Sequence, residues 1–202
     1  MSYLAVDTSG KRLTIVANHN NKEYVYTDAE CGTNHSVEIM VRIEEVAKNA
    51  GLDLKDVDFF ACVIGAGSFT GIRIGVSTIK ALCFAYNKKA LAITSFDTIA
   101  YNKQGGKALA VINAGHGGYY VCGYQDKVEV LAPEYVLEER LAELEKEYQL
   151  VSFEKLDGFE SEIVCTVEGL KSAIKAKQLE VADASLLNPL YVRKSQAEEG
   201  RK

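Results

Sequence analysis

Two stretches of the chain combine residue types that could handle an anion. Asp7-Thr8-Ser9-Gly10 follows the short apolar run Tyr3 to Val6 and so places a carboxylate and two hydroxyls at a strand end. In a phosphotransferase such a carboxylate holds a hydrated Mg²⁺ while turn amides approach phosphate oxygens. The same residue types also make an ordinary turn, because an Asp side chain accepts backbone N–H groups. The second stretch, Gly65-Ala66-Gly67-Ser68-Phe69-Thr70-Gly71, places glycines between an apolar strand and a helix start. That composition lets backbones approach closely and leaves helix N-terminal amides for an anion. It lacks the Gly-Lys-Ser/Thr ending of a P-loop, and the next lysine in the chain is Lys80, so the cation that would reach the β and γ phosphates is missing. Phe69 adds little to anion binding and much to an interface. Helix packing or partner docking therefore competes with phosphate cradling. Arg73 suits an anion, a partner carboxylate or a solvent-facing helix position equally.

Other chemistry has less support. His19, His35 and His116 form neither His-x-x-x-His nor His-Glu-x-x-His, so a metallopeptidase has no visible ligand set. Ser9, Ser36, Ser68 and Ser77 lack a nucleophile-elbow pattern. The five cysteines, at 31, 62, 83, 122 and 165, include no Cys-x-x-Cys pair, and three lie in apolar segments. Buried free thiols in a reducing compartment are expected rather than disulfides. With 28 acidic against 23 basic residues the net charge is -5. Such a surface is ill suited to gripping nucleic acid alone, because that affinity comes from cations displacing phosphate counterions. The basic runs Lys171 to Lys177, Arg193-Lys194 and Arg201-Lys202 read as solvated faces diluted by acids. No leader-like N-terminus and no apolar run of about 18 residues is present, so a cytoplasmic protein without a membrane span is expected.

The elements that must position these residues alternate in type. Tyr3 to Val6, Leu13 to Ala17 and Tyr24 to Thr27 predict a three-stranded meander. From His35 to about Asn49 the apolar residues recur every three to four positions, a helix with Asn34 at its N-cap. Asp58 to Ile64 predicts a strand covered on both faces, followed through the glycine segment by a helix from about Thr70 to Ala85 and a strand at Ala90 to Ile93. Gln104 to Lys107 is a flexible seam. The pattern then restarts with strands at Ala108 to Ile112, Tyr119 to Tyr124 and Lys127 to Leu131. A helix opened by Pro133 should run to about Tyr148, then short strands at Gln149 to Phe153 and Glu162 to Thr166, and a weaker helix at Val167 to Lys177. The echo predicts two related α/β lobes of about 100 residues each.

Asp7-Thr8-Ser9 after an apolar strand, His35-Ser36 opening the first helix, the core Ser68-Phe69-Thr70-Gly71-Ile72-Arg73-Ile74-Gly75 and Pro189-Leu190-Tyr191-Val192-Arg193 carry a resemblance. In order and spacing over nearly the whole chain they resemble the family of non-catalytic dimerisation subunits of bacterial tRNA threonylcarbamoyladenosine synthesis, formerly called glycoprotease-like. The resemblance implies a duplicated actin-like or sugar-kinase-like ATPase fold of ribonuclease H-like lobes. Residues 1–105 would form the N-terminal lobe with the partner-binding helices, and 106–202 a reduced C-terminal lobe whose tail returns to the first. It implies a protein that is no enzyme itself but binds and activates a homologous catalytic subunit. That subunit transfers threonylcarbamoyl to adenosine 37 of tRNAs reading codons that start with A. A small P-loop ATPase is the implied third component, tRNA is met only through the complex, and the isolated chain is a homodimer.

The implied partner surface is His35, Ile39, Met40, Ile43, Phe69, Ile72, Arg73, Ile74 and Val76, on two helices with more apolar residues than one sheet can cover. Gly71, Gly75 and Ala85 would let a partner helix approach, giving a four-helix contact. No catalytic residue, metal or resident cofactor is implied; weak or partner-dependent ATP or ADP binding would use a vestigial Asp7-Thr8-Ser9. Alternatives are a small ATP-dependent phosphotransferase of the sugar-kinase or acetate-kinase type and a metal-dependent peptidase. The chain departs from the family at Ala66, where Pro is usual, which is expected to loosen the loop. It departs again at Asn113-Ala114-Gly115-His116-Gly117-Gly118, where an Asp-Ala-Arg turn is usual.

Overall fold

The computed structural model describes residues 1–28, 34–103 and 105–193. Cys31, Gln104, Lys194, Arg201 and Lys202 lie outside these. The chain divides into two compact units. One comprises Met1–Thr94 and Ala173–Leu190, the other Ser95–Ser172 and the residues from Tyr191 on. The division falls ahead of the glycine seam.

In the first unit, strands β1 (Tyr3–Asp7), β2 (Leu13–His19) and β3 (Lys22–Asp28) form the meander. Helix α1 (His35–Ala50), strand β4 (Phe59–Val63), helix α2 (Phe69–Tyr86) and strand β5 (Lys89–Ile93) follow. The sheet order is β3-β2-β1-β4-β5, with β1 antiparallel to β2 and parallel to β4. β4 and β5 are parallel and so need the crossover that α2 supplies. Ala182 of the returning segment pairs with Ala90 on the β5 edge. α1 ends where Gly51 takes a left-handed φ of 69° that closes the helix cheaply only for glycine. Ile39, Ile43, Val46 and Ala47 of α1 meet Ile72, Val76, Ile79 and Leu82 of α2 over Leu4, Val6, Ile15 and Phe60 in one apolar core. Each such large side chain, once buried, stabilises the fold by roughly 1.5–3 kcal/mol.

The second unit opens with a short buried helix, α3 (Ser95–Ala100), which the sequence reading does not contain. Strands β6 (Lys107–Gly115), β7 (Gly118–Gln125) and β8 (Val128–Leu137) come next. Helix α4 (Glu138–Leu144), strands β9 (Gln149–Ser152) and β10 (Glu162–Ile163) and the start of helix α5 (Thr166–Lys177), which belongs to the first unit from Ala173 on, complete the order. The sheet runs β8-β7-β6-β9-β10, with the same strand senses as the first unit. The echo in the sequence is thus a duplication of the five-stranded sheet, incomplete in one respect. Between β9 and β10, where the first unit has α2, residues 153–161 form no helix. Leu156 and Phe159 of that loop pack on the core that α4 covers with Leu141 and Leu144, Phe159 meeting Tyr119 edge to face.

Pro133 does not open a helix. It lies in β8, an edge strand, between the pairs Val121↔Glu134 and Gly123↔Leu131 where the register shifts; an edge and a bulge tolerate a residue without an N–H. The helix starts only at Glu138, and Leu137, the last residue of β8, is exposed. Cys62, Cys83 and Cys122 are buried free thiols, and Cys165 is free and exposed. Burial raises the thiols of Cys83 and Cys122, to about 11 and about 12. No described helix is long and apolar enough to cross a membrane.

Candidate functional site

Asp7 closes β1 and is buried, and its Oδ1 accepts from the Ser9 amide at 2.8 Å and from the Ser9 hydroxyl at 2.7 Å. Burial raises its carboxyl above the ordinary 3.8, opposed by the two Ser9 bonds and by the charge of His35. His35, at the start of α1, is itself buried and places Nε2 2.9 Å from the Gly10 carbonyl, to which it donates. The turn and the first helix are thereby tied together.

The glycine segment packs directly on this turn. The Ser68 amide donates to the Ser9 carbonyl at 2.6 Å, and the Thr8 hydroxyl donates to the Gly71 carbonyl at 2.7 Å. A Cβ on Gly67 would overlap the Ser9 carbonyl oxygen, one on Gly71 the Thr8 carbonyl oxygen, and one on Gly75 would lie 2.5 Å from Thr8 Oγ1 and 3.3 Å from Cys62 Sγ. Gly65 is closed in by Ile72 and the Leu190 carbonyl, each 2.8 Å from where its Cβ would be. Ala66 is buried. Two of the segment's amides are also committed, that of Ser68 to Ser9 and that of Gly71 to the Ser68 hydroxyl at 3.2 Å, which caps α2; just beyond, the Ile72 N–H donates to the Ser68 carbonyl. A phosphate group does not fit here, since the glycines that would cradle it are filled by Thr8 and Ser9. Gly71 and Gly75, expected to admit a partner helix, face inward instead.

The equivalent turn in the second unit repeats the local geometry without the charge. Asn113 Oδ1 accepts from the Gly115 amide at 2.8 Å, two residues on, as Asp7 does from Ser9. His116 stands exposed at the tip with φ 54°. Among the described residues no three His, Cys, Asp or Glu side chains gather as metal donors.

The nine residues expected on a partner surface separate into two sets. Ile39, Ile43, Ile72 and Val76 belong to the core beneath α1 and α2, and His35 is buried on Gly10. They are not available to a partner, because the stripe at positions 39, 43 and 46 turns toward the sheet. Met40 and Arg73 are exposed, while Phe69 and Ile74 are half-buried. Phe69 lies under the Arg73 guanidinium, 3.8 Å from the ring centroid. Three residues missing from that set are more exposed than its most exposed apolar member: Val37 at 71%, Val41 at 59% and Phe84 at 91%, against 43% for Met40. The signal for Phe84 was available in the spacing Arg73, Ser77, Phe84, which places an aromatic on the polar side of α2. The outer faces of two adjacent helices thus carry Val37, Met40 and Val41 from α1 and Arg73, Ser77 and Phe84 from α2. Scattered apolar residues on a surface are ordinary, but four large ones on two neighbouring helices, Val37, Met40, Val41 and Phe84, form a patch of the kind that meets a partner.

The sequence pattern of the TsaD family, described as tRNA N6-adenosine threonylcarbamoyltransferase, matches residues 22–185. The tRNA threonylcarbamoyladenosine biosynthesis protein TsaB of Bacillus subtilis strain 168 is 27% identical, with 98% of this chain and 96% of the relative covered. The protein of the same description from Escherichia coli K12 is 26% identical over 75% of this chain and 71% of its own. Among solved structures, a Pseudomonas aeruginosa protein described as similar to peptidase YEAZ superposes with TM-score 0.77 at 21% identity, covering 95% of this chain and 99% of that one. YeaZ from Pseudomonas aeruginosa superposes with TM-score 0.72 at 22% identity over 94% and 99%. The duplicated five-stranded sheet is therefore the α/β fold of the YeaZ structures. By pattern, sequence and fold together, the chain belongs to the TsaD family, in which it matches the TsaB/YeaZ members.

Proposed function

We propose that this chain is the non-catalytic subunit that binds and activates a TsaD-type transferase, which carries threonylcarbamoyl to adenosine 37 of tRNAs reading codons that start with A. The observation that carries the reading is the exposed apolar surface of α1 and α2 on a chain of this family. Val37, Met40, Val41 and Phe84 would form the apolar centre of a helix-to-helix contact, with Arg73 at its margin. Without a partner the same surface pairs two copies of the chain; with the transferase present, the heterodimer replaces that pair. A small P-loop ATPase joins the complex, and tRNA is reached through the assembled surface because the net charge of -5 gives this chain little purchase on phosphates.

The two enzymatic alternatives draw less support. A phosphotransferase needs Asp7 open to a metal-bound phosphate, whereas Ser9, Gly67 and Gly71 enclose that turn. A metal-dependent peptidase needs a donor set, and the described residues supply none. The test is mixing this chain with the transferase of the same organism at micromolar concentration. A 1:1 complex that restores threonylcarbamoyladenosine formation is expected; two proteins that migrate separately and no gain in the modified nucleoside would overturn the reading.

A further inference from the structure

Thr8 is a polar residue placed where an apolar one would ordinarily sit. It is fully buried, and its hydroxyl donates to the Gly71 carbonyl at 2.7 Å. Gly71 and Gly75 of α2 have no side chains, and the space is occupied by the Thr8 carbonyl and hydroxyl. The neighbouring carbonyl, that of Ser9, accepts from the Ser68 amide just before the helix. One side of the first turns of α2 is therefore held by the end of β1. From the other side of the same helix project Arg73, Ser77 and Phe84, all exposed. An α-helix advances 1.5 Å and turns about 100° per residue, so the seating of Gly71 and Gly75 on Thr8 fixes both the depth and the azimuth at which those three residues stand.

We propose that Thr8 is a positioning residue for the partner surface, and that the Asp7-Thr8-Ser9 turn serves this chain as the seat of α2 rather than as a place for phosphate or metal. The inference rests on the reading of the α1 and α2 faces as the surface that meets the transferase. Replacing the hydroxyl by a methyl group makes the difference measurable. A methyl carbon needs more room than 2.7 Å from a carbonyl oxygen, so the helix start must shift outward by several tenths of an ångström.

The experiment measures the dissociation constant for the purified TsaD-type transferase of the same organism, well below the melting temperature of every variant. Under that condition essentially all molecules are folded, and a role confined to stability would lower the melting temperature while leaving the constant unchanged. Thr8→Val, by displacing the outer face of α2 relative to that of α1, should weaken binding by about five- to tenfold, on the order of 1 kcal/mol, and Thr8→Ser, which keeps the donor, should bind as the parent does. If Thr8→Val does not fold, Thr8→Ala removes the hydroxyl that anchors the Gly71 carbonyl without adding a clash, and should weaken binding in the same direction by a smaller factor. Phe84→Asp separates the two levels of the argument. If it weakens binding while Thr8→Val or Thr8→Ala does not, or if Thr8→Ser is as weak as they are, the seat is wrong and the partner surface stands. If Phe84→Asp binds the transferase as the parent does, the partner surface is wrong and the seat falls with it.

Discussion

A glycine that faces a carbonyl oxygen has no room for a methyl group, and Gly71 faces that of Thr8. Gly71→Ala should therefore destabilise the chain by about 3 kcal/mol, the upper part of the range for overpacking, read as a lower urea midpoint. Gly10, in the turn itself, has nothing within 4 Å of where its Cβ would be; Gly10→Ala should change stability by no more than about 0.5 kcal/mol. Gly71 belongs to a stretch the sequence marks for close approach. What it does not state is which neighbour approaches, because a missing Cβ has no chemical identity. That answer comes from the parallel pairing of β1 with β4, which brings Thr8 beneath the helix following β4. Asp7 gives a second test at this scale. Its carboxyl is raised by burial, so the folded chain holds that proton more tightly than the unfolded one. The resulting stability is full below the unfolded value of about 3.8 and is lost as pH rises through the folded value. Asp7→Asn keeps an oxygen that accepts from Ser9. It should therefore melt at or above the parent temperature at pH 7, with the advantage shrinking as pH falls toward 4.

At the scale of elements, the two helices that matter were legible and their faces were not. The apolar spacing gave α1 and α2 to within a residue at each end, because caps and periodicity are local properties. Which apolar residues turn inward is decided by the sheet, and both helices carry more than one face can bury. Ile43 went to the core, while Val37, Val41 and Phe84 went to the surface. The opposite consequences are measurable in one protein. Ile43→Ala should cost about 2–5 kcal/mol of stability, whereas Phe84→Ala should leave the urea midpoint nearly unchanged and weaken transferase binding. α4 was misplaced for a related reason: Pro133 suits a helix start and an edge-strand bulge alike, and only the pairing of β8 with β7 distinguishes them.

Across the whole molecule, the strand order of one unit is repeated in the other, yet only the first has a helix between its two parallel outer strands. The loop at residues 153–161 fills the corresponding face of the second unit with Leu156 and Phe159. Among the described residues, an exposed pair of adjacent helices of the α1 and α2 kind therefore occurs once. A single self-complementary surface closes at two copies, since an isologous contact uses the same patch on both and leaves none for a third. On the proposed reading, the homodimer and the transferase heterodimer therefore compete for one surface. Sedimentation of the isolated chain should show a monomer–dimer equilibrium with no larger species. Adding the transferase in stoichiometric amount should convert the dimer to a 1:1 complex, with an apparent affinity that falls as total chain concentration rises. Val41→Asp, on the exposed face of α1, should abolish both assemblies together while the circular dichroism spectrum stays that of the parent. A 2:2 assembly, or a Val41→Asp chain that loses one complex and keeps the other at full affinity, would mean that two separate surfaces are in use.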